Sequence, residues 1–197
     1  MDSSTQIRAN AWPWATVIIA LAAVITYTSA QLADILIYKR SLILTGQIWR
    51  TWTGHIVHFG PSHLLWDLAV FLPAGCWLER LQPRCARWLY LLCPIIISVV
   101  LLVFDPALER YAGLSGLAIG TLMLLTAVQL TNRKESPWLW LGVVLLIVAK
   151  LVIELRQGAP LLVSDFADIR NVPLAHFSGV GCGLLCWLFL GRSKHAK

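Results

Sequence analysis

The chain has 197 residues, 58% of them hydrophobic and only 13% charged, with a mean hydropathy of +0.71. Soluble domains carry roughly a quarter charged residues, so an ordinary water-soluble domain is excluded and one compact helical unit in a lipid bilayer is expected. The net charge of +6 would suit nucleic acid, but the basic residues cluster in short stretches between apolar runs, the pattern of membrane topology, and no nucleic-acid partner is expected.

In chain order, runs able to cross a membrane fall at 14–37, 63–79, 88–104, 112–131, 137–155 and 173–190, against roughly 20 apolar residues for a spanning helix. All six are expected to be helices, because a lipid-exposed open strand leaves backbone groups unpaired. The second and third runs are short and contain Pro73 and Pro94, which predicts kinks or local thinning of the bilayer. The fold class is therefore an all-α membrane protein, a single domain over 1–197. The first run resembles a signal peptide, with Arg8 ahead of it and Thr28-Ser29-Ala30 as a cleavage-like site. Its apolar stretch continues past that site, so a retained anchor is expected.

Lys and Arg set the direction. With the N-terminus inside, the cytoplasmic segments hold nine basic residues: Arg8, Arg80, Arg84, Arg87, Arg133, Lys134, Arg192, Lys194 and Lys197. The other side holds six, Lys39, Arg40, Arg50, Arg110, Arg156 and Arg170, diluted by Asp105, Glu109, Asp165 and Asp168. Spans 2, 4 and 6 then all enter from the outer face, and His63, Ser115 and His176 begin them at similar depth.

The stretch from His55 to His63 holds three histidines, with Asp67 one turn after His63. The H-E-x-x-H pattern of zinc proteases is absent and no second carboxylate completes a ligand set, so no metal is expected. His63 is better used as a donor to negative charge developing beside Ser115. Asp67 either orients His63 or, kept protonated by desolvation, donates as well. Ser115 stands in Gly113-Leu114-Ser115-Gly116. An intramembrane serine commonly bonds its own helix backbone, but the flanking glycines leave N–H groups open for an approaching substrate and an oxyanion. His176 is followed by Gly179 and Gly183, and span 4 carries Gly116 and Gly120. Small residues at these spacings let two membrane helices approach closely, which would bring the imidazole to the Ser115 hydroxyl as a base. No carboxylate precedes His176 in an orienting position, so a Ser–His dyad fits better than a triad.

Lys150 and Glu154, four apart in span 5, are expected to pair or to snorkel to the interface, with a part in a lateral gate as the sharper alternative. Trp12, Trp14, Trp49, Trp52, Trp138 and Trp140 read as an interfacial belt. The cysteines Cys76, Cys85, Cys93, Cys182 and Cys186 form no C-x-x-C pair and read as small core residues.

Trp49-Arg50, His58 and His63 before span 2, Gly-Leu-Ser-Gly at 113–116, and Ala175-His176-Phe177-Ser178-Gly179 with Gly183 together resemble the rhomboid intramembrane serine proteases. The resemblance covers about 45 to 190 and implies a six-transmembrane-helix rhomboid-like bundle without a cofactor. By resemblance, Ser115 is the nucleophile and His176 the general base. His63 and the amides of Ser115 and Leu114 form the oxyanion hole, Trp49 and Arg50 anchor the first external loop, and span 5 with the 156–172 loop forms gate and cap. The chain departs from the family pattern at Asp67, where many members have asparagine, and at Ile119, where many have an aromatic packed on the base. The short chain and His63-Leu64-Leu65-Trp66-Asp67 most resemble the rhombosortase branch. That branch implies a bacterial inner-membrane enzyme with its site open to the periplasm and both termini cytoplasmic. Its partner would be a membrane-anchored protein with a C-terminal, Gly-Gly-containing transmembrane tail. Two rival classes remain: a rhomboid-like pseudoprotease that binds helices without cutting them, and a transporter, whose broken helices in paired repeats the chain lacks.

Overall fold

The computed structural model describes residues 12–132, 136–157 and 172–191. The topology markers Arg8, Arg133, Lys134, Arg170, Arg192, Lys194 and Lys197, with Asp165, Asp168 and the 158–171 part of the expected cap, lie outside the described residues.

The expected first span is not one helix. Helix α1 (Trp14–Tyr27) ends at Thr28, and α2 (Ala30–Leu36) leaves it at 118°. The sequence chemistry of the bend is local: Thr28 Oγ1 bonds back to the Ile25 carbonyl, and Ser29 caps α2 by accepting from Leu32 N at 3.3 Å. A serine that satisfies an open helix N-terminus makes a new start as favourable as continuation. Two two-residue strands then add a feature absent from the helical expectation. β1 (Tyr38–Lys39) pairs antiparallel with β2 (Arg110–Tyr111), Tyr38 opposite Tyr111. Short helices α3 (Arg40–Leu44) and α4 (Arg50–Thr53) and a 3-10 turn (Gly54–Ile56) complete the first loop. Lys39 Nζ bonds Asp34 Oδ1 at 2.6 Å, and hydrogen bonds from the Ser41 hydroxyl and amide hold the Glu109 carboxyl below its ordinary range.

The long helices are α5 (Pro61–Leu81), α6 (Pro83–Phe104), α7 (Ser115–Leu130), α8 (Pro137–Gln157) and α9 (Pro173–Cys186), the last continuing as a π-helical turn over Trp187–Gly191. Four of them start on proline, whose missing N–H is harmless at the first helical position. Pro73 and Pro94 lie inside α5 and α6, which remain continuous. Among the described residues, three helices are long and apolar enough to cross a membrane: Pro83–Phe104, Pro137–Arg156 and Pro173–Gly191, with a fourth span if α1 and α2 count as one. Helix α7 is shorter, and α5 carries His63, Asp67 and Glu79 among its buried residues.

Helix α7 is the core of the bundle, buried along most of its length and packed on α5, α6, α8 and α9. Outward-facing Leu139, Leu145 and Leu146 on α8 and Val103 and Phe104 on α6 are exposed, as lipid-facing side chains must be. The tryptophan belt is only partly a belt. Trp12, Trp14, Trp49 and Trp138 are exposed, but Trp140 is buried edge-on against Trp77 and half-buried Trp52 donates to the Tyr90 carbonyl at 3.1 Å. An indole inside needs such an acceptor or aromatic neighbour. None of the five cysteines is joined in a disulfide.

Candidate active site

The chain enters the site through the β1–β2 pairing, which fixes Tyr111 and delivers the next residues as a tight turn. Gly113 adopts φ +129, a region open to glycine alone at low energy. A Cβ there would also meet His63 Nε2 at 2.5 Å. The turn ends at buried Leu114, whose carbonyl accepts from Ala118 N at 2.8 Å, so α7 begins at Ser115. Its first N–H groups lack intrahelical partners and its dipole favours negative charge there.

His176 occupies the first turn of α9, and glycines set its distance from α7. A Cβ on Gly120 would approach the Gly179 carbonyl oxygen to 2.6 Å, one on Gly116 the Ala175 carbonyl oxygen to 3.1 Å, and those on Gly179 and Gly183 would overlap the carbonyls of Gly116 and Gly120. With the backbones touching, Ser115 Oγ lies 2.8 Å from His176 Nε2. That is hydrogen-bond distance for moving the hydroxyl proton to the imidazole.

The other imidazole nitrogen faces a residue that sequence reasoning placed elsewhere. Glu154 of α8 has its Oε2 2.7 Å from His176 Nδ1, and Lys150 Nζ bonds its Oε1. Glu154 is buried and Lys150 only partly exposed, so this pair does not snorkel as a surface pair would. An ionised carboxylate only accepts, which selects the Nδ1–H tautomer and leaves Nε2 as acceptor toward Ser115. The available sequence signal was a lone carboxylate within an apolar run, a placement that needs a partner. Ile119 packs with Met123, Ile147 and Leu151 in a small apolar cluster and also lies against Gly179 of α9.

Against the Gly113–Leu114 turn stand His63, Asp67 and His58, all buried. Asp67 Oδ2 lies 3.1 Å from His58 Nε2 and 3.4 Å from His63 Nε2. His58, weighed in the sequence only as a metal ligand and within the resemblance, thus meets Asp67 more closely than His63 does. The Leu114 N–H points at His58 Nε2 at 3.4 Å. One nitrogen cannot donate to Asp67 and accept from Leu114 together, and the shorter contact is to the carboxylate. A donating Nε2 leaves the Leu114 amide open beside Ser115. The ligand atoms of His58, His63 and Asp67 lie within 4.8 Å of one another, and the carboxylate already bridges both imidazoles.

Trp49 and Arg50 make their hydrogen bonds within the first loop, away from Ser115 and His176. Arg50 is buried, with Nη1 donating to the carbonyls of Asp34 (2.9 Å) and Ile37 (2.7 Å) and Nε to Gln47 Oε1 (2.7 Å). It caps the C-terminal end of α2, where a cation complements the dipole. Trp49 Nε1 reaches the Ile35 carbonyl at 3.4 Å. Together they tie the bent first loop to itself.

The comparisons with known proteins agree with this architecture. The rhomboid domain model matches residues 45–193, most of the chain and every residue of the site. The rhomboid protease GluP of Bacillus subtilis is 36% identical over 98 residues, a stretch covering 49% of this chain and 19% of that protein. The chain thus spans about a fifth of the length of that relative. With the family model covering the loop, the Gly113–Ser115 turn and α9 alike, this multi-pass membrane protein belongs to the rhomboid family.

Proposed function

We propose that the protein is an intramembrane serine endopeptidase, and the observation that carries this reading is the 2.8 Å contact between Ser115 Oγ and His176 Nε2. Family membership and the name of the Bacillus relative, a rhomboid protease, point the same way. His176 Nε2 takes the hydroxyl proton as Oγ bonds to the scissile carbonyl carbon. The resulting oxyanion lies at the N-terminus of α7, within reach of the Ser115 and Leu114 amides and of His63, with Asp67 setting the imidazole orientations on that side. Collapse breaks the C–N bond, and the imidazolium returns its proton to the departing amine. Water then loses a proton to His176, attacks the acyl-enzyme, and releases the second product with Oγ–H restored.

The finer reading is of six spans with both termini cytoplasmic and the site opening on the periplasmic face of a bacterial inner membrane. Span 5, here α8, is the gate, and Trp49 and Arg50 hold the external loop. The substrate we infer is a membrane-anchored protein whose C-terminal tail carries a Gly-Gly sequence before a transmembrane segment, the rhombosortase type. Small residues suit the scissile region, because the site is desolvated and a charge there is costly.

A fluorophosphonate probe tests the activity. Labelling of the purified protein, absent from Ser115→Ala and strongly reduced in His176→Ala, is expected. Failure to label the parent, or equal labelling of Ser115→Ala, refutes the protease and leaves the helix-binding pseudoprotease. Co-expression with a Gly-Gly-tailed substrate tests the specificity: a shortened product should require Ser115, and its persistence with Ser115→Ala refutes the assignment.

A further inference from the structure

The polar chain that starts at Ser115 does not end at His176. Oε2 of Glu154 accepts at Nδ1 over 2.7 Å, while Oε1 is bonded by Lys150 Nζ. We propose that Glu154 is a positioning residue that completes a Ser115–His176–Glu154 relay across α7, α9 and α8, with Lys150 clamping the carboxylate. The proposal rests on the protease reading above.

Burial argues for a role beyond an ordinary helix pair. A Lys–Glu pair at i,i+4 gains little when exposed, and side chains of this length can normally extend to water. Here the Glu154 side chain is 2% exposed and that of Lys150 32%. A carboxylate so withdrawn needs charged or donating partners, and each of its oxygens has one. Neither partner alone explains the arrangement. Lys150 would satisfy the charge at the interface, and His176 would reach Ser115 in either tautomer unless something fixed it.

The chemistry follows from which atoms face His176. From α8 come Glu154 and Lys150, from α7 Ser115, and from α5 the charge of Asp67. With the Nδ1 proton directed at Glu154, the imidazole ring cannot turn over, and Nε2 presents a lone pair to Oγ–H. Once Nε2 takes that proton the ring is cationic, with an anion 2.7 Å from it. The interaction strengthens as charge develops, which is where a gain accelerates the reaction. The Nδ1 proton does not transfer; the carboxylate holds the ring and its charge. Lys150 Nζ also lies 3.3 Å from Nδ1, but an ammonium cannot bond a protonated nitrogen, so its effect is on the carboxylate. The base is then oriented from α8, a helix that the residues around Ser115 and His176 in sequence give no reason to suspect.

The test uses the full chain in detergent micelles and a fluorophosphonate probe, with the maximal labelling rate (kinact) separated from probe affinity (KI). Glu154→Gln keeps size and one acceptor while removing the charge, so folding is retained, which an unchanged thermal midpoint checks. Expected is a fall in kinact of at least about tenfold with KI within about twofold, the scale of losing a carboxylate behind a histidine. In a His176→Ala background the same substitution should change nothing further, because Glu154 acts through the imidazole. Glu154→Asp, a charge on a shorter arm, should recover part of the Gln variant's loss. Parent-like kinact in Glu154→Gln, or the same fold loss with and without His176, overturns the relay while leaving the protease intact. No labelling of the parent at Ser115 overturns both.

Discussion

Gly179 of α9 lies against the carbonyl oxygen of Gly116 in α7, so closely that any β-carbon there would overlap it. This contact sits beside Ser115 in one helix and one turn after His176 in the other. The separation of Ser115 and His176 is therefore set by bare backbone. Gly179→Ala should force α7 and α9 apart, costing about 1–3 kcal/mol as overpacking does. It should also lower fluorophosphonate labelling by roughly a hundredfold, since a misplacement near 1 Å has that effect. Gly181→Ala, two residues on with nothing within 4 Å of its added carbon, is the control. It should label normally and gain a few tenths of a kcal/mol, up to about 1, from helix propensity. Equal behaviour of the two variants would remove the packing argument.

Gly113 carries two demands at once, φ +129 and the ring of His63 at 2.5 Å from any added Cβ. Gly113→Ala should be destabilised by about 1–3 kcal/mol from the backbone alone. It should displace the imidazole as well, so labelling per folded molecule falls. Gly46, also at positive φ but with nothing within 4 Å, separates the two causes. Gly46→Ala should lose stability and keep its labelling rate. Full labelling by Gly113→Ala, measured after correcting for folded fraction, would remove His63 from the oxyanion side.

What the sequence made legible was whatever depends on local spacing. Apolar runs located the long helices, and the small-residue spacing of Gly116, Gly120, Gly179 and Gly183 marked the α7 and α9 faces that meet. The break at Thr28-Ser29 escaped because hydropathy does not distinguish a continuous helix from two helices joined by a capped bend. The β1–β2 pairing escaped because two residues show no alternation. Glu154 escaped for a different reason. Its spacing to Lys150 suggested a local pair, and only the packing of α8 beside α9 reveals the contact with His176, 22 residues away. Trp140 likewise looks interfacial until its contact with Trp77, 63 positions earlier in the chain, is seen.

Arg50 should not tolerate lysine. Its guanidinium serves the carbonyls of Asp34 and Ile37 and the Gln47 amide together, and an ammonium cannot reproduce that fork. Arg50→Lys should lose about 1.5–3 kcal/mol, the scale of a hydrogen bond to a charged group. The effect should be local to α2 and the first loop, so limited proteolysis between 28 and 50 should accelerate more than cleavage elsewhere. Uniform acceleration along the chain would show that Arg50 supports the whole bundle instead.

Glu79 offers the cleanest separation of stability from activity. It lies at the opposite end of α5 from His63, sixteen residues and about 24 Å along the helix. Its Oε2 accepts from the Thr16 amide at 3.0 Å and the Thr16 hydroxyl at 2.9 Å, and its Oε1 from the Ala15 amide at 3.2 Å. A carboxylate from another helix thus caps the start of α1, where no acidic residue stands in the first turn, and complements the positive end of its dipole. Burial makes the cap strong, because water does not replace it: the Glu79 side chain is 2% exposed, and Arg87 is 3.9 Å away on the open side. Glu79→Gln keeps the shape but sets an NH2 group against N–H donors, and Glu79→Ala leaves those donors buried. Losses of about 1–3 kcal/mol are expected, larger for Ala. Below the lowered thermal midpoint, both variants should label at Ser115 with the parent's rate, since Glu79 bonds α1 and faces Arg87 of α6, not Ser115 or His176. An unchanged midpoint would mean that α1 is held by its apolar face alone, and slowed labelling would mean that the two ends of α5 are coupled.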